Sequence, residues 1–331
     1  MIQLAKKQQG LTLIELMIAV LLGIFITGGM IQLFANSHQS YRIQENSSRL
    51  QENGRFAMNF ITRDIRMSSY WGCLKDGEDN TTNNLDPAGT NYNVNFHGFA
   101  QGVSGSNGAT DTITLRGAFS NGLSVVTPYA ATVSGNIKVS AGNNLADEDI
   151  VIVADCSHAD IFQIIGDPST GTITHTIDNS YEPGNANIAD PSCTAPAQCL
   201  SRIYRSDAAI HKVSTITYSI QNDAATGQPT LFRRIDTTSE PLIEGIEDMQ
   251  IIYGEDTDDD GVPNYYLPAG SAGLDFDNVV SVRVSLLVAT LEDNLTTQAV
   301  PYTIFGVTTT PADRKLRRVF TSTIAVRNRL P

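Results

Sequence analysis

The sequence predicts an α+β protein, one very long N-terminal helix packed on an antiparallel β-sheet body. Three observations predict it. Residues 11–35 form an apolar run holding a single charge, Glu15. Residues 36–70 carry apolar side chains at helical spacing, and no proline occurs before Pro87. Beyond Gly72 the pattern changes to alternation with period two, broken by loops rich in Gly, Asn, Asp and Pro.

As a helix, Leu11 to Ala35 spans about 37 Å, enough to cross a bilayer with some tilt. Lys6 and Lys7 precede it, and no basic residue follows until Arg42. The positive-inside rule therefore keeps the N-terminus cytoplasmic and exports the remainder. A secretory signal peptide fits less well. Its apolar core runs to roughly 7–15 residues and ends at a small-x-small site, and Leu33-Phe34-Ala35 is a poor one. A plain membrane anchor explains the length and leaves Glu15 unexplained.

Thr12-Leu13-Ile14-Glu15 fits a capping box, with Thr12 as N-cap and the Glu15 carboxylate reaching back to the first free N–H. A negative charge there also complements the helix dipole. Near the interface it costs less than the ~2.5–3.5 kcal/mol of an acidic residue at a helix centre. Among packed helices it still needs a partner.

The helix is expected to continue past the membrane. Leu50, Ala57, Ile61 and Ile65 make one apolar stripe, with Phe56, Phe60 and Met67 beside it, and all seven read as core. Arg49, Glu52, Arg55, Arg63, Asp64 and Arg66 fall mostly elsewhere. Unbroken from Thr12 to Ser69, such a helix is on the order of 85 Å long. Gly28-Gly29 and Gly54 are the places where it can bend.

Strands are expected over 111–116, 149–154, 172–177, 213–220, 279–288 and 319–326. Loops are expected over 75–93, 102–110, 178–199 and 254–273. No second helix of comparable length and no internal repeat is visible. The 331 residues carry a formal net charge of −13, which argues against sequence-independent binding of DNA or RNA.

The four cysteines, Cys73, Cys156, Cys193 and Cys199, form no CxxC pair and have no histidine at zinc-finger spacing. In an exported chain they read as disulfides. Of three connectivities, the favoured one joins Cys193 to Cys199 within one Pro-rich loop. It also joins Cys73 to Cys156, tying the helix end to a strand.

Asp256-Thr257-Asp258-Asp259-Asp260-Gly261-Val262-Pro263-Asn264 offers calcium-loop ligands. These are the Asp256, Asp258 and Asp260 carboxylates, the Val262 carbonyl and Asn264, with Gly261 at the sharp turn. Position 12 is Leu267 and the flanks read as strands, so this is no EF-hand. It is a calcium loop at a hairpin tip, completed by Asp275 or Asp277, or else a solvated acidic turn.

Catalytic constellations are thin. On a strand, Cys156, His158 and Asp160 would share one face, as a metal or nucleophile site or as a disulfide cysteine beside a surface histidine. The motifs G-x-S-x-G, the Walker loop, the dinucleotide fingerprint and H-E-x-x-H do not occur. No enzymatic activity and no required cofactor are expected. Arg314, Lys315, Arg317 and Arg318 form a basic patch that reads as a solvated loop or as an electrostatic contact with an acidic neighbour.

Lys6-Lys7-Gln8-Gln9-Gly10, then Leu11-Thr12-Leu13-Ile14-Glu15 and an unbroken apolar helix, resemble the leader of type IV pilins. The resemblance implies cleavage between Gly10 and Leu11 by a prepilin peptidase on the cytoplasmic side and N-methylation of Leu11. It also implies pairing of Glu15 with the methylated N-terminus of a neighbouring subunit. That family usually has Phe where this chain has Leu11, and the apolar character is kept.

Further stretches of the body resemble the PilW group of minor pilins, which is related to the J-type minor pseudopilin of type II secretion. They are Tyr70-Trp71-Gly72-Cys73, Asp155-Cys156 with Ala159-Asp160-Ile161-Phe162-Gln163, Gly245 to Gly254, and the ending Phe320 to Arg329.

The resemblance implies a pilin-like fold in four parts: a cleaved leader over 1–10, a transmembrane and filament-core helix over 11–35, its amphipathic continuation over 36–70, and a β-rich periplasmic domain over 71–331. It implies insertion in the inner membrane, then assembly with other minor pilins and the major pilin on the inner-membrane platform. The complex would prime the pilus and sit at its tip, beside a tip adhesin where there is one. Two rivals stand: a minor pseudopilin of type II secretion, and a membrane-tethered periplasmic module that binds calcium or adheres.

Overall fold

The computed structural model describes residues 12–74, 80–99 and 101–330. The expected cleavage and methylation positions, Gly10 and Leu11, lie outside the described residues.

One helix, α1 (Leu13–Met67), runs without a break for 55 residues, about 82 Å at the ordinary rise. Neither Gly28-Gly29 nor Gly54 ends it. It stops at Ser68, which is extended, and Ser69, whose φ of 57° leaves the helical region. The freed backbone groups are taken up by the body. Asn328 Nδ2 donates to the Ser68 carbonyl at 2.9 Å, and Ser69 N–H donates to the Arg116 carbonyl at 2.8 Å.

Among the described residues every strand pairing is antiparallel except that of β1 (Thr81–Asn83) with β7 (Ala159–Gln163), which is parallel. The others in chain order are β2 (Val103–Ser106), β3 (Thr112–Ala118), β4 (Leu123–Ser124), β5 (Ile137–Lys138), β6 (Ile150–Ala154), β8 (Thr172–Ile173), β9 (Ala209–Asn222), β10 (Pro229–Ile235), β11 (Thr238–Glu244), β12 (Ile246–Glu255), β13 (Tyr265–Pro268), β14 (Val279–Ala289), β15 (Tyr302–Ile304), β16 (Val307–Thr309) and β17 (Arg317–Ala325). A single helical turn, α2 (Val94–His97), lies between β1 and β2.

The architecture follows from β9, which is long enough to serve two lobes. Its first residues pair with β4 and β6, and its later residues with β3 and β10. A second sheet in the order β13-β12-β14-β17 completes the first lobe. That lobe's core joins Leu50, Ala57, Ile61 and Ile65 of α1 to Ile113, Ile216, Leu231, Met249, Val284, Leu286 and Ile324 of the two sheets. The second lobe is built on β6 and β7, buried on both faces. Val151, Val153 and Phe162 point into one cluster, while Ile152, Ala154 and Ile161 point into another with Trp71 and Phe99. The continuous run Ile150-Val-Ile-Val-Ala154 is what a doubly buried strand requires.

The α+β expectation holds, with corrections. Phe56, Phe60 and Met67 are not core: they are 50%, 37% and 45% exposed. At 100° per residue they lie on a different face from Leu50, Gly54, Ala57, Ile61 and Ile65, which docks, and at Gly54 α1 comes so close to β17 that a Cβ there would lie 2.3 Å from the Phe320 ring. Asp64, expected on the solvent side, is 6% exposed. The strand expected over 172–177 is two residues long, and the loop expected over 102–110 contains β2. Both expected disulfides are present, Cys73–Cys156 and Cys193–Cys199.

Candidate functional site

The first candidate is the start of α1. The capping box is complete: Thr12 N–H and Thr12 Oγ1 both donate to Glu15 Oε2, at 2.9 and 3.0 Å, and Glu15 N–H donates to Thr12 Oγ1 at 3.2 Å. One carboxylate oxygen thus satisfies the helix start while the side chain stays on the surface. The apolar residues that follow, Leu13 through Phe34, are more than half exposed, and this is the one helix among the described residues long and apolar enough to cross a membrane. An isolated water-soluble domain does not leave such a face bare. The arrangement is that of an element buried in lipid or among other helices, with a carboxylate at its entry.

The second half of α1 is fixed to the body by charge as well as packing. Asp64 Oδ2 accepts from Tyr218 Oη at 2.6 Å and from Arg233 Nε and Nη2 at 2.9 and 2.8 Å. Burial and the Asp64 carboxylate push the Tyr218 hydroxyl well above its ordinary value, so it stays a donor. Sequence spacing missed this site because its three members are 154 and 169 residues apart. Nearer the membrane end, Arg42 pairs with Glu292 at 2.8 Å.

The acidic loop sits where it was expected, at a hairpin tip between β12 and β13. One oxygen each of Asp256, Asp258 and Asp260 lies within 4.8 Å of the others. The turn is held by its own backbone. Asp256 accepts from the N–H groups of Asp258 and Gly261 at 3.2 and 2.7 Å, and Asp260 from that of Val262 at 2.7 Å. Gly261 has φ +81°, a conformation that suits glycine. Asn264 faces the same turn, accepting from Thr257 N–H at 2.7 Å and donating to Asp258 at 3.3 Å. Asp275 and Asp277 are not part of the cluster. Asp275 Oδ1 caps the turn beside it by accepting from Asp277 N–H at 3.0 Å.

Two sequence readings are corrected. Cys156, His158 and Asp160 do not share a strand face, because residues 155–158 form a turn before β7 begins. Cys156 is in a disulfide, and His158 is exposed beside Arg202. Asp160 is fully buried, accepting from Asn84, Ser201 and Tyr204. The basic patch is not one surface either. Arg317 is 6% exposed in its side chain and paired with Glu247 and Asp313, which holds the Asp313 carboxyl down at about 2. Arg318 lies over the Phe320 ring at 5.5 Å.

Two comparisons with known proteins bear on this layout. Residues 5–31 match the family model described as the prokaryotic N-terminal methylation motif, and residues 217–328 match the one described as type IV pilus-assembly protein W. Searches of curated proteins and of solved structures return no match. The second matched segment runs from the middle of β9 through β17, the sheets on which α1 lies. A membrane-length helix opening on a methylation motif and continuing into an antiparallel body defines a type IV pilus-related pilin, a component of a fibre. Within that class the chain is similar to the PilW-type minor pilins over residues 217–328.

Proposed function

We propose that this minor pilin co-assembles with other minor pilins and the major pilin to prime the pilus, and that it sits at the pilus tip. The observation that carries this reading is α1 itself. Its first half is apolar, exposed and opened by the Thr12–Glu15 cap, while its second half is anchored in the body. The helix suits two environments in turn, a bilayer and then a bundle of neighbouring helices, with the body carried on the outside.

In this reading the prepilin peptidase cuts between Gly10 and Leu11, Leu11 is N-methylated, and the body is periplasmic. The new ammonium of one subunit meets Glu15 of another. A carboxylate and an ammonium in low dielectric attract strongly, and either alone is penalised. Replacing Glu15 by valine, which removes the charge and suits the membrane, is expected to leave insertion intact. It is expected to abolish or cut by at least about tenfold the pilins recovered with the chain, a loss of about 1.4 kcal/mol or more per contact. Pilus counts and pull-down of co-assembled pilins measure it. Normal piliation in the variant rejects the Glu15 role, and a mature protein retaining Met1 by mass spectrometry rejects processing. Deletion distinguishes a pilus component from its type II secretion counterpart, by loss of twitching in the first case and of secretion in the second.

We also propose calcium for the β12–β13 tip, on the convergence of Asp256, Asp258 and Asp260. Millimolar calcium is expected to raise the melting temperature of the wild type and not of Asp258→Ala. A wild type indifferent to both calcium and chelator excludes it.

A further inference from the structure

A cleft of about 690 Å³ opens where the second lobe meets α2 and the β10–β11 turn. Its size is that of a small-ligand site. Except for Asp236 and Thr237 of that turn, its lining comes from residues 90–213, between the two matched segments. The cleft lies in the second lobe, and none of its lining belongs to α1.

One wall is aromatic. The Tyr92 and His97 rings lie 5.6 Å apart, and Asn93 N–H donates to His97 Nδ1 at 3.1 Å, which leaves the imidazole proton on Nε2. Burial lowers the His97 pKa, outweighing the Asp236 carboxylate, so the ring is neutral at pH 7.

The lining also includes Glu148 and Glu182, whose backbone is held from within the lobe. Gln163 is 2% exposed, and its Nε2 donates to the carbonyls of both Glu148 and Glu182, at 3.2 and 3.3 Å. Its Oε1 accepts from Gly184 N–H at 2.9 Å. The Glu148 backbone is further pinned by Ile164 O and Asp147 Oδ1, and it is kept at φ 67°, a conformation rare for a long side chain.

The backbone at Glu148 and Glu182 is thus fixed, which anchors the two exposed side chains at the cleft, and neither carboxylate has a counter-charge. Glu148 and Glu182 have no side-chain hydrogen bond or ion pair among the described residues. The one lysine of the lining, Lys212, is already paired with Asp149. Four carboxylates against that single lysine leave a formal excess of three negative charges. An anion is repelled from such a site, and a neutral polyol gains nothing from its negative charge. A cation compensates the glutamates and also gains from the ring faces.

We propose that this cleft binds an organic cation, a guanidinium or ammonium group on an apolar stem, with Glu148 and Glu182 as its anionic partners, Tyr92 as its ring and Gln163 as the positioning residue. Such a group comes either from a free small amine or from a basic side chain of a partner polypeptide.

Calorimetric titration of the full-length protein in detergent micelles tests this. Three probes are used: agmatine, acetyl-Gly-Arg-Gly-amide and its neutral isostere acetyl-Gly-citrulline-Gly-amide. Saturable binding is expected for at least one cation, with the citrulline peptide at least tenfold weaker than the arginine peptide. The double variant Glu148→Gln, Glu182→Gln is expected to weaken the cation at least tenfold while melting like the wild type. Tighter agmatine than arginine peptide points to a free amine, and the reverse to a polypeptide partner. Equal affinity for the arginine and citrulline peptides overturns the proposal. So does the absence of saturable binding up to about 10 mM, a contact worth less than about 3 kcal/mol, or a double variant that binds like the wild type.

Discussion

Replacing Asp64 by alanine is expected to cost about 3–5 kcal/mol of unfolding free energy, the range for breaking a buried ion pair from one side. The Asp64 side chain is 9% exposed and that of Arg233 25%, so the guanidinium left behind loses its only carboxylate among the described residues, keeps the Tyr218 hydroxyl at 3.1 Å and is poorly hydrated. The Tyr218 hydroxyl, on a ring that is fully buried, also loses its acceptor. The damage falls at one place, the last turns of α1, where the helix meets β9 and β10. Urea unfolding of the variant in detergent measures it. A compensated variant separates charge from packing. Asp64→Leu with Arg233→Met and Tyr218→Phe removes every polar member together and is expected to recover most of the loss, because an apolar replacement leaves no orphan. A single variant as stable as the wild type, or a triple variant no better than the single one, contradicts this account.

The second large effect is expected from Cys73→Ser with Cys156→Ser. The bond joins residues 83 apart in sequence, and its two ends are the exit of α1 and the turn after β6. Closing a loop of that length restricts the unfolded chain by about 4–5 kcal/mol in the chain-entropy description, within a usual range of about 2–5 for native disulfides. Cys193–Cys199 spans only 6 residues and by the same relation is worth about half as much. The expected result is therefore an order. Loss of Cys73–Cys156 lowers the denaturation midpoint more than loss of Cys193–Cys199, and its effect concentrates in the lobe built on β6 and β7. Equal midpoints for the two cysteine pairs contradict the entropic origin.

Local patterns are legible in the sequence where contacts between near neighbours suffice. The Thr12–Glu15 cap is a three-residue spacing, and it forms with both its hydrogen bonds. The acidic turn is likewise local, its bonds running between residues two and five apart. Strands with strong alternation, such as 213–220 and 279–288, lie within β9 and β14. Weaker ones were missed. Thr238-Ser-Glu-Pro-Leu-Ile-Glu244 carries polar residues and a proline, and it pairs only because it is an edge strand on β10. The buried stripe of α1 is narrower than its apolar content suggests. At 100° per residue Phe56 and Phe60 lie roughly 100° or more round the helix from the face of Leu50, Ala57, Ile61 and Ile65, and only that face meets the body.

What the sequence by itself determined is therefore the long helix, its membrane-length half, its capped carboxylate and the antiparallel character of the body. Each of these follows from the spacing of residues a few positions apart. Which α1 residues are buried, the Asp64–Tyr218–Arg233 tie and the Glu148–Gln163–Glu182 wall were decided by tertiary structure alone. These depend on chain segments up to 169 residues apart meeting with the right side chains opposed, and no periodicity encodes such a meeting. For Glu15 the balance is reversed, since its cap was legible in four letters because the helix that needs it begins there.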